Sequence, residues 1–312
     1  LASLEEAYCI EYDDIIDAEL AYDLYWAKVI SSKSAFECPS EYCDAKVTCV
    51  NMDAEKQDMR QSPHFRGYNH SEKCDATIGK KPSASAGTEY ESSASMVVKS
   101  DQKPDIFNLH RPLNQFAKKE NGKRNPNKNR AISRRKPRVH GESELKAGSD
   151  YYAVRSLVTK FIRYRKDKLL SEHYVNIDGK DISYSELFKG VYKQQISALP
   201  DEYRIYWGVA YIQHIKEKKT YRIGFKSELS NNNNLIAPSF FVSENQIENY
   251  PVKNLVIKRL TKISKSDDKR AFIFLYSKPH EQGSNFINFD VVSLDYLEIR
   301  DLDLFEELKK TT

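Results

Sequence analysis

At 312 residues the chain is long enough for two ordinary domains, or for one domain with large appendages. Hydrophobic residues make up 40% and charged residues 30%. No run approaches the roughly 18–20 continuous apolar residues of a membrane-spanning helix, so no membrane association is expected. The net charge of +4 hides an asymmetry: residues 1–25 carry eight acids and no Lys or Arg, whereas 118–140 carry ten Lys or Arg and one acid, Glu120. The first region is expected to repel phosphates and the second to attract them. The acidic start lacks the basic-then-apolar pattern of a signal peptide. Five cysteines, four of them crowded between Cys38 and Cys74, are unlike a secreted disulfide scaffold. A reducing, cytoplasmic setting is expected, with cysteines serving metal.

Residues 3–33 read as helix. Leu20, Leu24, Ala27 and Val29–Ile30, with Ala18, Ala21 and Trp26, form an apolar stripe at helical spacing from about Asp17 to Ser31. This helix is expected to pack on the module that follows; its acidic residues also offer a surface to a protein partner. Cys9 stands apart from the other cysteines and reads as a small buried apolar residue.

The strongest chemical signal lies between Phe36 and Asp75. It is Cys38-x4-Cys43, a gap, then His70-x3-Cys74. Two short ligand pairs separated by a loop are a usual way to assemble tetrahedral zinc, and thiolate with imidazole favours Zn2+ over magnesium or calcium. Pro39 sets up the tight turn that paired ligands need. Lys46–Val50 reads as a strand, and Asn51–Ser62 as a loop or a weak hairpin arm. His70 is the preferred fourth ligand because it lies one turn from Cys74; His64 is the alternate, and Cys49 rivals Cys43. Four protein ligands close the shell and leave no position for a catalytic water.

Phe36-x-Cys38-Pro39, a second Cys, a short β-run, His64-Phe65-Arg66 and a closing Cys74 together resemble the N-terminal zinc-finger region of the CoiA-like competence proteins. In that family an F-x-C-P-x-x-C element precedes an H-F-x-H element. The resemblance covers residues 20–76, about a fifth of the chain. It implies a zinc-ribbon-like module that helps handle DNA, and a place in DNA uptake or phage defence. The sequence departs from the pattern in two ways: four residues separate the first pair, and Gly67 stands where the second histidine of H-F-x-H belongs. The family's nuclease domain is not carried over.

Residues 79–149 read as a flexible, basic linker, small and polar from Ser83 to Ser95, with Ile106–Leu109 and Phe116 as points that dock on a flanking domain. Its tail holds Lys118, Lys119, Lys123, Arg124, Lys128, Arg130, Arg134, Arg135, Lys136 and Arg138, a density suited to phosphate contacts. A solvated linker is the bland alternative. From Asp150 the chain turns aromatic, with 13 of its 20 tyrosines. Asp150 is expected to cap a helix to about Asp167, whose polar face would add Arg155, Arg163 and Lys166 to the nucleic-acid contacts. Tyr174–Ile177 reads as a strand ending in an Asp178-Gly179 turn, and Ser183-x-x-Glu186 as a capping box opening a helix to about Gly190. Tyr203–Gln213 and Thr220–Lys226 read as a hairpin, Leu255–Ile263 as strand or helix, Ala271–Tyr276 and Phe286–Leu294 as strands, and Asp301 onward as a closing helix. Tyr206 and Trp207 are either core or platforms for base stacking.

No phosphate loop, G-x-S-x-G elbow or H-E-x-x-H motif is present. The E-x-K triplets at Glu217, Glu144 and Glu307 fall in a turn, the linker and the last helix. Asp290, Asp295 and Glu298 follow one strand. The expected architecture is α+β: a helix plus zinc-ribbon-like module over 1–78, the linker over 79–149, and an α+β domain with a mainly antiparallel sheet over 150–312. The expected function is zinc-finger nucleic-acid binding. The alternatives are a protein–protein adaptor subunit and, more weakly, a metal-dependent nuclease.

Overall fold

The computed structural model describes residues 2–4, 6–40, 42–55, 62–74, 76, 104–112, 115–117, 150–231, 234–283, 285–304 and 308. The basic tail Lys118–Arg138 lies outside them. Among the described residues no helix is long and apolar enough to cross a membrane.

Six short strands form the first sheet: β1 (Ala2–Leu4), β2 (Glu6–Cys9), β3 (Asp14–Asp17), β4 (Phe36–Glu37), β5 (Lys46–Val50) and β6 (His64–Gly67). Their order is β1-β6-β5-β4-β2-β3, antiparallel throughout. Alternate residues point inward, Ala7 and Cys9 on β2, Val47 and Cys49 on β5, and Phe65 on β6. Phe36 packs on Phe65 with ring centroids 5.1 Å apart. The helix expected over 3–33 is therefore corrected. Residues 6–17 form a hairpin that reverses at Asp13, whose φ is +56°. Only α1 (Ala18–Trp26) is helical, started by the Asp17 carboxylate, which accepts the Leu20 N–H at 2.7 Å. Two-residue alternation governs Ala7, Cys9 and Ile16, and helical periodicity begins only after Asp17. The strand expected at Lys46–Val50 is present as β5, and Cys9 is fully buried.

The second part contains β7 (Asp105–Phe107), β8 (Asp150–Tyr151), α2 (Val154–Lys166), β9 (Tyr174–Ile177) and β10 (Lys180–Ser183). Its small sheet has the order β10-β9-β7-β8, with β7 parallel to both neighbours. The interval expected as linker thus contributes a strand. Phe107 is buried edge-on to Tyr276, and the Tyr296 hydroxyl donates to the Leu109 carbonyl at 2.8 Å. These are the docking points expected of Ile106–Leu109. Asp150 belongs to β8, and Ala153, without a side-chain cap bond, precedes α2. Asp178 and Gly179 take positive φ in the turn between β9 and β10, as the Asp-Gly pair favours.

Next come α3 (Tyr184–Leu187), β11 (Phe188–Gly190), β12 (Arg204–Ile215), β13 (Thr220–Phe225), the hairpin β14 (Leu229–Asn231) and β15 (Asn234–Ile236), β16 (Ser239–Ser243), α4 (Glu244–Glu248), α5 (Lys253–Lys265), β17 (Arg270–Ser277), β18 (Pro279–Gln282), β19 (Phe286–Phe289) and β20 (Leu297–Arg300). Ser183 and Glu186 form the capping box, but α3 ends at Leu187 because Phe188–Gly190 pair in parallel with β12. The large sheet runs β18-β19-β16-β13-β12-β17-β20, antiparallel except at β11–β12 and β16–β19. Its two faces have separate cores. α2 covers Ile205, Phe272, Phe274 and Tyr276 on one face, whereas Leu260 and Ile263 of α5 pack with Ala210, Ile212, Ile273 and Leu275 on the other. Residues 255–263 are helical, the Phe286 strand stops at Phe289, and Leu308 packs into the α2-side core. The chain is α+β with mainly antiparallel sheets.

The helix α1 joins the parts. Ala21 and Leu24 enter the N-terminal core, while Tyr22 and Trp26 pack with Val252 and Leu255 at the start of α5. Beside them, Asp23 accepts Arg111 Nη2 at 2.9 Å and pairs with the Arg155 guanidinium, which also lies over the Tyr22 ring. Arg111 reaches Asp295 at 2.7 Å through its Nε, so one guanidinium ties α1 to the segment before β20.

Candidate functional site

The sequence places Cys38 just after β4, Cys43 before β5, and His70 with Cys74 after β6. Antiparallel pairing of β4, β5 and β6 then brings these loops to one end of the sheet. The Cys38 N–H bonds to the Ala45 carbonyl at 2.9 Å and closes the loop, while the Cys43 N–H to the Ser40 carbonyl at 3.3 Å and the Cys74 N–H to the Ser71 carbonyl at 3.0 Å close two tight turns. The four donor atoms lie within 4.8 Å of one another. Cys38 Sγ is 3.6 Å from Cys74 Sγ, and His70 Nδ1 is 3.3 Å from Cys43 Sγ and 3.4 Å from Cys74 Sγ. Zinc bonded at ordinary Zn–S and Zn–N lengths gives tetrahedral edges of about 3.8 Å between sulfurs and about 3.6 Å from sulfur to nitrogen. The spacing suits a single ion held by four protein ligands.

Electrostatics at the site are uneven. Burial pushes the Cys38 thiol far up. Burial is the largest single influence on Cys43 too, but hydrogen bonds from the Ser71 and Ala45 N–H groups, together with those to the Cys74 and Cys38 thiols, outweigh it and bring its thiol below the usual range. The Ser71 N–H lies 3.4 Å from Cys43 Sγ, an arrangement that favours thiolate. A bound cation displaces the remaining thiol protons.

Gly67 has a specific role. A Cβ built there would lie 1.9 Å from His70 Nε2 and 2.6 Å from its Cε1. The imidazole occupies the space that any other residue at 67 would fill. This gives a physical reason for glycine at position 67.

The alternates lie elsewhere. His64 stands at the far end of β6, about 10 Å along the strand from Gly67 at the usual rise. It donates from Nδ1 to the Ser62 carbonyl at 2.8 Å and accepts Arg66 Nε at 3.0 Å. Cys49 points into the core, fully buried, with its thiol held up by burial. The structure brings together Cys38, Cys43, His70 and Cys74 and leaves both alternates out.

Of the expected nucleic-acid contacts among the described residues, Arg163 and Lys166 are exposed near the C-terminal end of α2. Arg155 is corrected: it is 5% exposed and engaged with Asp23, because the first turns of α2 face α1 rather than solvent. Tyr206 is fully buried against Phe289, so it is core and offers no platform. Trp207 is half-buried, with Arg165 lying 5.2 Å over its ring.

The acids following β19 do not assemble into a catalytic group. Asp290 is exposed, Asp295 accepts Arg111 and the Tyr250 hydroxyl, and Glu298 lies between Arg259 at 2.9 Å and Arg300 at 2.5 Å. Glu217 sits on the exposed turn between β12 and β13. His214 pairs with Glu244 at 2.8 Å, and His173 stacks on Tyr164. Two residues that sequence reading missed are Gly67 and Arg111. Gly67 was visible as a departure from a motif, whereas nothing local marks Arg111 as a brace. Comparison of the chain with protein families, with curated proteins and with solved structures returned no match.

Proposed function

We propose that the chain is a zinc-stabilised, nucleic-acid-binding protein. In this reading a zinc-ribbon-like module, held by Cys38, Cys43, His70 and Cys74, organises the N-terminal sheet. The observation that carries it is the closed Cys3His donor set, three sulfurs and one nitrogen at tetrahedral spacing with all three cysteines buried. Such a set has no open coordination position, so the ion would act through structure and the protein through binding. Charge supplies the ligand class. Ten cations lie between Lys118 and Arg138, and exposed Arg163 and Lys166 follow on α2. The likeness of residues 20–76 to the finger of competence proteins agrees with a role in DNA uptake or phage defence.

The adaptor reading relied on the acidic N-terminal helix as a partner surface. That helix buries Tyr22, Asp23 and Trp26 against its own chain, which removes much of the surface proposed for a partner. The test of the proposal is titration with single- and double-stranded DNA and RNA at two salt concentrations. Binding that weakens steeply with salt is expected. No binding at low salt would contradict the proposal.

A further inference from the structure

The face of the large sheet that receives α2 is only half covered. Along β12 the same face continues past Trp207 to Tyr211 and Gln213, both exposed. Strand register sets two rows across this open half. One reads Tyr211, Gly224 and Ser239, of which Ser239 is buried, and the next reads Gln213, Arg222 and Phe241, all exposed. Tyr211 is 47% and Phe241 48% exposed. They stand two strands and two residues apart, about 12 Å at ordinary sheet spacings. Between them Gly224 leaves the floor bare, since a Cβ built there meets only Ser239 Cβ at 3.9 Å. Arg222 is exposed beside Phe241, and β12, β13 and β16 contain no Asp or Glu. At the covered end Arg165 caps Trp207, so the cationic end of α2 adjoins the aromatic row.

We propose that this open sheet face binds single-stranded nucleic acid, with bases stacked on Tyr211 and Phe241 and a phosphate held by Arg222. The inference rests on the nucleic-acid reading above and adds to it the site and the strandedness. Every unpaired base offers a flat π-face to an aromatic ring, whereas a duplex keeps its base faces stacked inside and presents phosphates instead. The bare strip over Gly224 gives a base room to lie flat against the sheet. Charge argues against two other occupants. The chain's own basic tail would be repelled by Arg222 and Arg165, and a second copy would bring cation against cation.

The test is equilibrium binding of a short labelled oligothymidine, an oligouridine and a duplex to the full chain and to four variants. Tyr211→Ala with Phe241→Ala is expected to weaken single-strand binding about 30-fold and leave duplex binding unchanged. Gly224→Val fills the strip where there is room for a side chain, so it should weaken single-strand binding while the far-ultraviolet circular dichroism stays that of the parent. Arg222→Gln should lower the slope of log affinity against log salt by about 0.7. The fourth variant replaces the ten cations of the basic tail with glutamine. If it loses binding while the aromatic pair and Gly224→Val bind single strands as tightly as the parent, the platform is wrong and the nucleic-acid reading stands. If the parent binds neither strand form at low salt, both fall. A face whose substitution changes only the sedimentation of the chain is an interface between copies, which also overturns the platform. The thymidine and uridine arms distinguish DNA from RNA as the preferred strand.

Discussion

β17 is buried along its length from Ala271 to Ser277, with α2 over one face and α5 over the other. Among the described residues no strand of the N-terminal sheet is longer than five residues, and the one helix packed in its core is the short α1. The large sheet therefore draws its stability from apolar area, two layers deep and rich in Phe, Ile and Tyr. The small sheet, with its shorter strands, has less apolar area to set against chain entropy. Its further supports among the described residues include the donor cluster at one end, α1 docked on the second part through Tyr22, Asp23 and Trp26, the Tyr12 hydroxyl on the Gln115 carbonyl and the Glu55–Lys258 ion pair. On the proposed reading, the same chain solves one problem twice, by core where strands are long and by a metal cross-link where they are short.

The largest effect expected from this contrast follows from removing one ligand. Cys74→Ser, or chelation of the wild type, should abolish the N-terminal sheet, since structural zinc contributes about 10–16 kcal/mol of apparent binding energy in small finger peptides. Hydrogen exchange should show loss of protection over β2, β5 and β6 while β12 and β17 stay protected. Equal loss in both regions would break the comparison.

Next in size is the joint between the regions. Arg155→Ala strands Asp23 in a buried setting, and removal of one partner of such a pair costs about 3–5 kcal/mol. Arg111 remains beside Asp23 and softens the loss, so the lower end is expected. Thermal unfolding followed by calorimetry should separate into two transitions, with the N-terminal one moved down. A single transition shifted as a whole would mean that the regions do not unfold as distinct units.

Gly67→Ala sharpens the account within the small sheet. The added methyl displaces His70, and metal affinity should fall about 10–100-fold, as when a supporting contact of a ligand is lost. Competition with a coloured chelator measures it. The smallest effect concerns Asp17, whose carboxyl is pushed up to about 6 by burial and by Glu19 and Glu6, against the Leu20 N–H. The raised value means that the folded state prefers the proton, so this contribution is full below about pH 4 and is lost as pH rises through about 6. Asp17→Asn keeps the cap without the charge and should stabilise the protein above pH 6 by about 1–3 kcal/mol, with the gain vanishing near pH 4. Denaturant midpoints for the two proteins across that range give the curve.

Much of the candidate site was legible because its rules are local. A ligand pair needs a tight turn, and Cys38-Pro39 and His70-x3-Cys74 carry theirs in a few residues. The Asp178-Gly179 turn and the Ser183 capping box were legible for the same reason. The hairpin over residues 6–17 was not, since Ala7, Cys9 and Ile16 fit a strand only once β4 is beside them. Arg155 read as a surface cation because its partner, Asp23, lies far earlier in the chain. Tyr203–Gln213 showed its alternation clearly, yet only contact with α2 decides which part of that face is core and which is open. Tyr211 is therefore exposed, while Tyr206, on the opposite face, is buried.

The central claim is that four side chains close around one metal ion. Metal analysis of the purified protein, with cobalt substitution read by absorption, tests it directly. About one zinc per chain and the ligand-field bands of tetrahedral cobalt bound by three thiolates are expected, both lost in Cys74→Ser. A metal-free protein whose N-terminal sheet keeps its full hydrogen-exchange protection would contradict it.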